Sequence, residues 1–442
     1  MTRRYFGTDG IRGRAGETPI TAEFAEKLGR ALVKVLGVDC PVIAIGRDTR
    51  ASGPVLEAAL ARGITSAGGD VRLLGVVPTP GVAAYVVENG LTAGAVISAS
   101  HNPAHDNGIK FFSGDGFKLP DETELAIEQQ LEAPATATKG GAVEKVDDAA
   151  ALYVAHTLKS LPSGFSLRGL KIAVDCANGA ASESTPAALR ALGADVHVFH
   201  AAPDGTDINA NCGSTVSEEI SRLVKETGAQ VGLSHDGDAD RLLLCDETGD
   251  PLDGDELLAM AGIDMLGRGE LAGNTVVATV MSNLGLDEAI EQAGGKVVRT
   301  SVGDRYVLEA MRKDGFVLGG EQSGHMIFLH HGTTGDGLVS ALQIFRLMTE
   351  SGKPLSELRH ALRKYPQAQR AVAVKSKPPL ETVPPVKDAI NAAEAALAPR
   401  GRVLVRYSGT EPKLRILLEG RDAATLEDHA EKIARAAKDA LG

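Results

Sequence analysis

At 442 residues the chain is too long for one ordinary hydrophobic core, so several domains are expected. With 43% hydrophobic and 24% charged residues it reads as a water-soluble globular protein, and its 51 glycines follow no triplet period of the collagen kind. A formal net charge of −12 argues against nucleic acid or anionic membrane as partner, while leaving room for a small anion gripped locally by Arg, backbone N–H groups and a metal.

The opening run Met1–Gly7 has two Arg but no apolar stretch behind them, so no secretory leader is expected. No apolar run reaches the length of a bilayer span, and a cytoplasmic location is expected. Thr21 is placed to cap a helix with apolar face Phe24, Leu28, Leu32, Val35 and Leu36, which Gly37 ends. A strand at Val42–Ile45, a helix opening at Pro54, a strand at Val71–Leu74, a helix after Pro80 and a strand at Ala95–Ile97 follow. This alternation predicts α/β domains with largely parallel or mixed sheets.

Pro134–Gly141, rich in Ala, Thr and Gly, reads as a surface loop. A helix end with Gly before a strand occurs at Ala67–Val71 and recurs at Leu192–Val196 and Ala293–Val297, at domain-sized intervals. Beyond the strand Ala371–Val374 and a Pro-rich break, a helix at Lys387–Leu397, two strands around Tyr407–Lys413 and a helix at Leu426–Leu441 make a smaller α+β unit. Cys40, Cys176, Cys212 and Cys245 are dispersed without a Cys-x-x-Cys pair, as reduced core thiols would be.

Four segments carry candidate chemistry. Ser98–Pro103 follows an apolar strand, which puts Ser100 at the strand's C-terminal end, where it can serve as nucleophile or phosphoryl carrier. A turn closed by Ser, Asn and Pro is the other reading, and the absence of a Gly-x-Ser-x-Gly elbow weakens a serine-hydrolase one. Ser234–Arg241 places Asp236, Asp238 and Asp240 at alternate positions, so that in extended backbone they point one way and can close on a hard cation. An EF-hand would put Glu247 at its twelfth position but needs Gly where Arg241 stands, and β-type runs flank the segment. Gly319–His325 offers Glu, Gln, Ser and His to a polyhydroxylated ligand, or is a surface turn. Arg406–Arg415 sets two hydroxyls and a Gly between two Arg, as an oxyanion nest or a decorated hairpin. Together the four suit phosphoryl transfer to or from a sugar.

Gly7–Gly13, Ser98–Pro103, Asp236–Arg241 and Arg406–Pro412, in this order and spread over nearly the whole chain, resemble the α-D-phosphohexomutase family. The resemblance implies three related mixed α/β domains and a smaller C-terminal α+β domain around a central cleft, here 1–155, 156–254, 255–367 and 368–442. It implies that Ser100 is phosphorylated in the resting enzyme, and that its phosphate completes the shell of one Mg²⁺ per chain held by Asp236, Asp238 and Asp240. A sugar 1,6-bisphosphate would be primer and intermediate, turning over between two half-reactions. Arg406, Ser408, Gly409, Thr410 and Arg415 would hold the phosphate that is not reacting, and Glu321 and Ser323 the sugar hydroxyls. Arg12, His101, Lys110, Arg241 and His325 match positions lining the reaction centre, with Lys110 and His325 as acid/base or charge-stabilising groups.

Within the family, the N-terminal run and Gly320–His325 look most like members acting on glucosamine 6-phosphate for UDP-N-acetylglucosamine and cell-wall synthesis; glucose and mannose phosphates are the alternatives. The same resemblance leaves open an activating kinase or autophosphorylation, and a monomer or homodimer. From other classes, a Mg²⁺-dependent phosphosugar phosphatase shares the Ser and the metal loop. A non-catalytic sugar-binding regulator would need neither.

Overall fold

Three mixed sheets built on one strand order carry most of the chain in the computed structural model, which describes residues 3–132, 140–408 and 411–442. Most of Pro134–Gly141, expected as a loop, lies outside the described residues. The chain divides into two units, Met1–Met281 with Ala293–Ala361, and Ser282–Gln292 with Leu362–Gly442.

In the first unit each sheet starts from a central strand with a parallel neighbour on either side. These centres are Val42–Arg47, Lys171–Asp175 and Thr275–Thr279. One neighbour is the strand that follows the Gly-terminated helix: Asp70–Val76, Asp195–Phe199 and Lys296–Thr300. The other is Ala93–Ile97, Val231–His235 or Leu318–Gly320, and each turns back into an antiparallel strand: Asp106–Ser113, Leu242–Asp246 and Met326–Phe328. The first sheet is widened by Ile11–Arg14 and Val143–Lys145, the second by Pro251–Leu252. The repeat seen in the sequence therefore marks the same strand in all three sheets.

Local chemistry explains the elements. Thr21 accepts from Phe24 N at 3.2 Å to open the helix Ala22–Leu36, and Gly37 closes it at φ +64°. Phe24, Leu28 and Leu32 on its face join Ile43, Ile45, Leu60 and Ile97 in the core of the first sheet. The strands beside the loops of interest, Ala93–Ile97 and Val231–His235, are buried on both faces, which is why Ala93–Ile97 and the first three residues of the other are uncharged and apolar.

The second unit is an antiparallel sheet ordered Gln367–Ala373, Lys413–Glu419, Arg402–Tyr407, with helices Pro384–Leu397 and Ala423–Leu441. Its core joins Val386, Leu414, Ile416, Leu418, Leu426 and Ile433. Helix Leu284–Gln292 belongs to it, tied by Asn283 to both backbone polar groups of Tyr365 at 2.9 and 3.0 Å. All four cysteines are free, and only Cys40 is exposed. No helix among the described residues is long and apolar enough to cross a membrane.

Candidate active site

The three sheets present their chemistry at one topological place, the turn between the third parallel strand and its antiparallel partner. Ser100 lies between Ala93–Ile97 and Asp106–Ser113, the acidic triplet between Val231–His235 and Leu242–Asp246, and Glu321 to His325 between Leu318–Gly320 and Met326–Phe328. Such turns follow the C-terminal ends of parallel strands, where α/β sheets leave room for ligands. Within the first unit the three turns meet.

Ser100 is buried and sits in the left-handed region at φ +51°, a conformation that costs a non-glycine residue and persists only where its surroundings impose it. Its N–H donates to Ser98 Oγ at 2.9 Å. Its carbonyl accepts from the Arg50 guanidinium and the Asn209 amide, both at 2.9 Å. Arg50 has no exposed surface; it also donates to the carbonyls of Asn102, Pro103 and Asp106, and it pairs with Asp48 at 2.8 Å. The hydroxyl so placed donates to Asp236 Oδ2 at 2.5 Å and stands 3.4 Å from His101 Nδ1.

Asp236, Asp238 and Asp240 are buried, and one carboxylate oxygen from each lies within 4.8 Å of the others. They do not converge by strand alternation, as the sequence spacing suggested. The segment is a turn, with Ala239 N donating to Asp236 O at 3.1 Å and Ala239 at φ +58°, because the chain must reverse into the antiparallel strand. Asp238 Oδ1 and Asp240 Oδ1 accept no hydrogen bond among the described residues. Two orphaned buried carboxylate oxygens in an all-oxygen cluster are the donor set a hard divalent cation takes, so these residues fit a metal. Glu247 instead accepts from Ser356 Oγ, apart from this cluster.

Cations surround the triplet. Lys110 Nζ is 2.8 Å from Asp238 and 3.6 Å from Asp240; burial alone would lower its pKa, but Asp238, Asp9 and Asp240 raise it, so it stays charged. Arg241 Nε lies 3.9 Å from Asp240 and 4.0 Å from Asp236. Arg12 pairs with Asp9 and donates to Ala99 O at 3.4 Å. His325 Nδ1 is 3.6 Å from Asp240, and Asp240 and Asp304 overcome burial to raise its pKa to about 9. Burial, with Arg241 and Arg12, pushes His101 down to about 4, so it is neutral. For Asp236, burial and the charges of Asp240 and Asp238 push the carboxyl up to about 7. Asp240 is also pushed up by burial, but His325, Lys110 and Arg241 outweigh this and hold it far below the ordinary range.

On the third turn Glu321 Oε1 accepts from Gly303 N at 3.1 Å, and burial, helped by Asp304, raises its carboxyl. Ser323 is exposed on the same turn. In the second unit Arg406 stands directly opposite Arg415 across two antiparallel strands, a like-charge pairing that an anion would relieve. Burial and Arg415 lower the pKa of Arg406. Arg415 donates to Glu411 at 2.8 Å, and Ser408 Oγ accepts from Glu411 N at 3.3 Å. Gly409 and Thr410 lie outside the described residues.

Ser100, His101, Lys110, Arg12, Arg241, His325 and the triplet are thus brought together. Sequence reasoning passed over Arg50, Asn209, Lys118, Asp304 and Thr79, whose hydroxyl donates to Asp238 at 2.6 Å. Asp9 stood inside the quoted Gly7–Gly13 run without a role. Arg50 meets Ser100 across 50 residues of chain and Thr79 meets Asp238 across 159, so no local spacing marks such contacts.

Known proteins resemble this chain along its whole length. Profiles of the phosphoglucomutase/phosphomannomutase family match in chain order: alpha/beta/alpha domain I over residues 3–138, domain II over 151–249, domain III over 253–365 and the C-terminal domain over 370–436. The phosphoglucosamine mutase of Syntrophotalea carbinolica is 50% identical over 451 residues, covering 100% of this chain and 99% of its own. That of Anaeromyxobacter dehalogenans is 50% identical over 458 residues and 100% of both chains. A phosphoglucomutase/phosphomannomutase family protein from Burkholderia thailandensis has the same fold, with a TM-score of 0.84 at 26% identity over 100% of this chain and 98% of its own. With every domain of the family matched in order and relatives half identical along the full length, this chain belongs to the phosphoglucomutase/phosphomannomutase family.

Proposed function

We propose that this chain interconverts glucosamine 6-phosphate and glucosamine 1-phosphate through a phosphoserine at Ser100 and a glucosamine 1,6-bisphosphate intermediate, supplying UDP-N-acetylglucosamine for cell-wall precursors. One observation carries the reading: the Ser100 hydroxyl is bonded to a buried three-carboxylate loop from another sheet, in a chain half identical to phosphoglucosamine mutases. The protein acts in the cytoplasm as a monomer or homodimer, with domains at 1–155, 156–254, 255–367 and 368–442.

Asp236, Asp238 and Asp240, with the phosphate on Ser100, would hold one Mg²⁺, which when bound would supply positive charge to the transferring group. The substrate's free hydroxyl attacks phosphorus; the new P–O bond forms as the bond to Ser100 Oγ breaks, and Oγ keeps the electron pair. Lys110, which stays charged, offsets the charge that builds on the transferring group; protonated His325 gives Oγ its proton and regains one as the attacking hydroxyl sheds its own, and Arg12, His101 and Arg241 line the centre. Glu321 and Ser323 grip sugar hydroxyls in both orientations of the bisphosphate. Arg406, Ser408, Gly409, Thr410 and Arg415 hold the phosphate that is not reacting. A kinase, autophosphorylation or a sugar bisphosphate charges Ser100 first.

Parallel turnover assays with glucosamine, glucose and mannose 6-phosphates, with inorganic phosphate measured alongside, test this. Glucosamine phosphate should have the highest kcat/KM, without phosphate release at the rate of isomer formation. Preference for glucose or mannose phosphate would reassign the substrate, and stoichiometric phosphate release would make the protein a phosphatase.

A further inference from the structure

Six side chains, carboxylates alternating with basic groups, close a ring beside the acidic loop. Lys110 Nζ lies 3.8 Å from Asp9 and 3.6 Å from Asp240. Asp240 is 3.6 Å from His325 Nδ1, and His325 Nε2 is 3.5 Å from Asp304. Lys118 completes the circuit by pairing with both Asp304 and Asp9. Asp9, Lys110 and Lys118 come from the part of the chain that forms the first sheet, Asp240 from the second, Asp304 and His325 from the third.

Lys118 and Asp304 reach the triplet indirectly, Asp304 through His325, and Lys118 through Asp304 and Asp9. The Lys118 side chain is only 7% exposed and that of Asp304 15%. Lys118 follows the strand that carries Lys110 and bridges to Phe112. Asp304 opens the helix Asp304–Asp314, and its Oδ1 accepts from Arg305 N at 2.9 Å, which fixes the carboxylate's direction. Without Asp304, both the Lys118 ammonium and His325 Nε2 would lose the carboxylate that stands between them in the ring. Without Lys118, two poorly solvated carboxylates, Asp9 and Asp304, would lose their common partner. Either loss pushes Lys110 or His325 off its place, and reacting groups displaced by about 1 Å lose on the order of a hundredfold in rate.

We propose that Lys118 and Asp304 are positioning residues that hold His325 against the acidic loop and, through Asp9, hold Lys110 opposite it. The inference rests on the mutase reading, in which one fixed set of groups must serve both orientations of the bisphosphate.

The test measures kcat, KM and thermal midpoint for wild type, Asp304→Asn, Asp304→Glu, Lys118→Met and the double variant Lys118→Met/Asp304→Asn. Asn can still accept from Arg305 N but carries no charge. Asp304→Asn and Lys118→Met should each lower kcat about 10- to 100-fold with KM within about threefold. The double variant should be no worse than the poorer single one, since the two act as a unit, and Asp304→Glu should recover part of the rate. A kcat within about twofold of wild type in Asp304→Asn, losses that multiply in the double variant, or no recovery with Glu would each overturn the inference while the mutase reading stands. If Asp304→Asn does not fold, Lys118→Met and Asp304→Glu decide by the same kcat and KM criteria. A wild type that isomerises none of the phosphosugars removes the mutase reading and this inference with it.

Discussion

Ser100 Oγ and Asp236 Oδ2 are 136 residues apart in the chain and 2.5 Å apart in space. A hydroxyl held in the left-handed region and a carboxylate of an electron-rich loop meet because two sheets of the same strand order each turn back at the same point. That single hydrogen bond joins the Ser100 turn to the acidic turn of another sheet.

Ser100→Ala removes the hydroxyl proposed to carry the phosphoryl group and nothing else of size. Turnover should fall by at least about a thousandfold, with the fold retained. Intact-mass spectrometry should show a phosphorylated fraction in the wild type that the variant lacks. Substantial activity in Ser100→Ala would end the phosphoserine scheme.

Asp238→Asn leaves a side chain of the same shape but takes a charge from the cluster, and with it the closest partner of Lys110. Isothermal titration with Mg²⁺ should show affinity reduced on the order of a hundredfold, since hard cations need anionic oxygens. Equal affinity in both proteins would move the metal elsewhere.

Gly237 lies where the two loops touch. A Cβ there would come within 2.6 Å of Ser100 O and 2.9 Å of Asn209 Nδ2. Gly237→Ala should therefore push the serine turn off the acidic turn, at a cost of about 1–3 kcal/mol in denaturant unfolding. Turnover should drop with it, and a variant with wild-type stability and rate would show that the contact gives way freely.

Arg50 carries a full charge with no exposed surface and spends it on Asp48 and the carbonyls of the Ser100 turn. Arg50→Met removes one partner of this buried pair and should destabilise by about 3–5 kcal/mol. Hydrogen exchange should rise first in Ser100–Asp106, the turn those carbonyls belong to. Uniform loss of protection over the whole chain, with none localised there, would count against the assignment.

Much of the fold was legible in local patterns. Thr21 and Gly37 bracket their helix by capping chemistry alone. The Gly-terminated helices before Asp70, Asp195 and Lys296 marked equivalent strands in three sheets, because a helix that must return beside a parallel strand needs the same exit each time. The antiparallel hairpins were read less fully. Leu318–Gly320 and Met326–Phe328 have three residues each, too short for a period of two to show. The acidic turn was misread as extended, since alternate spacing of Asp236, Asp238 and Asp240 is the same in the sequence whether or not the chain reverses.

From its residues alone the chain determined which atoms could do chemistry: a Ser after a strand, three carboxylates together, a polar turn and a pair of Arg flanking a hairpin. Those are local facts, written in neighbouring positions. The tertiary structure alone decided that Arg50 would be sealed beneath Ser100, that Asn209 would brace the same carbonyl, and that Lys118 and Asp304 would close a ring of charge through His325. Burial and charge pairing belong to positions in space, and residues from about twenty to nearly two hundred places apart acquire them only when the sheets form and dock.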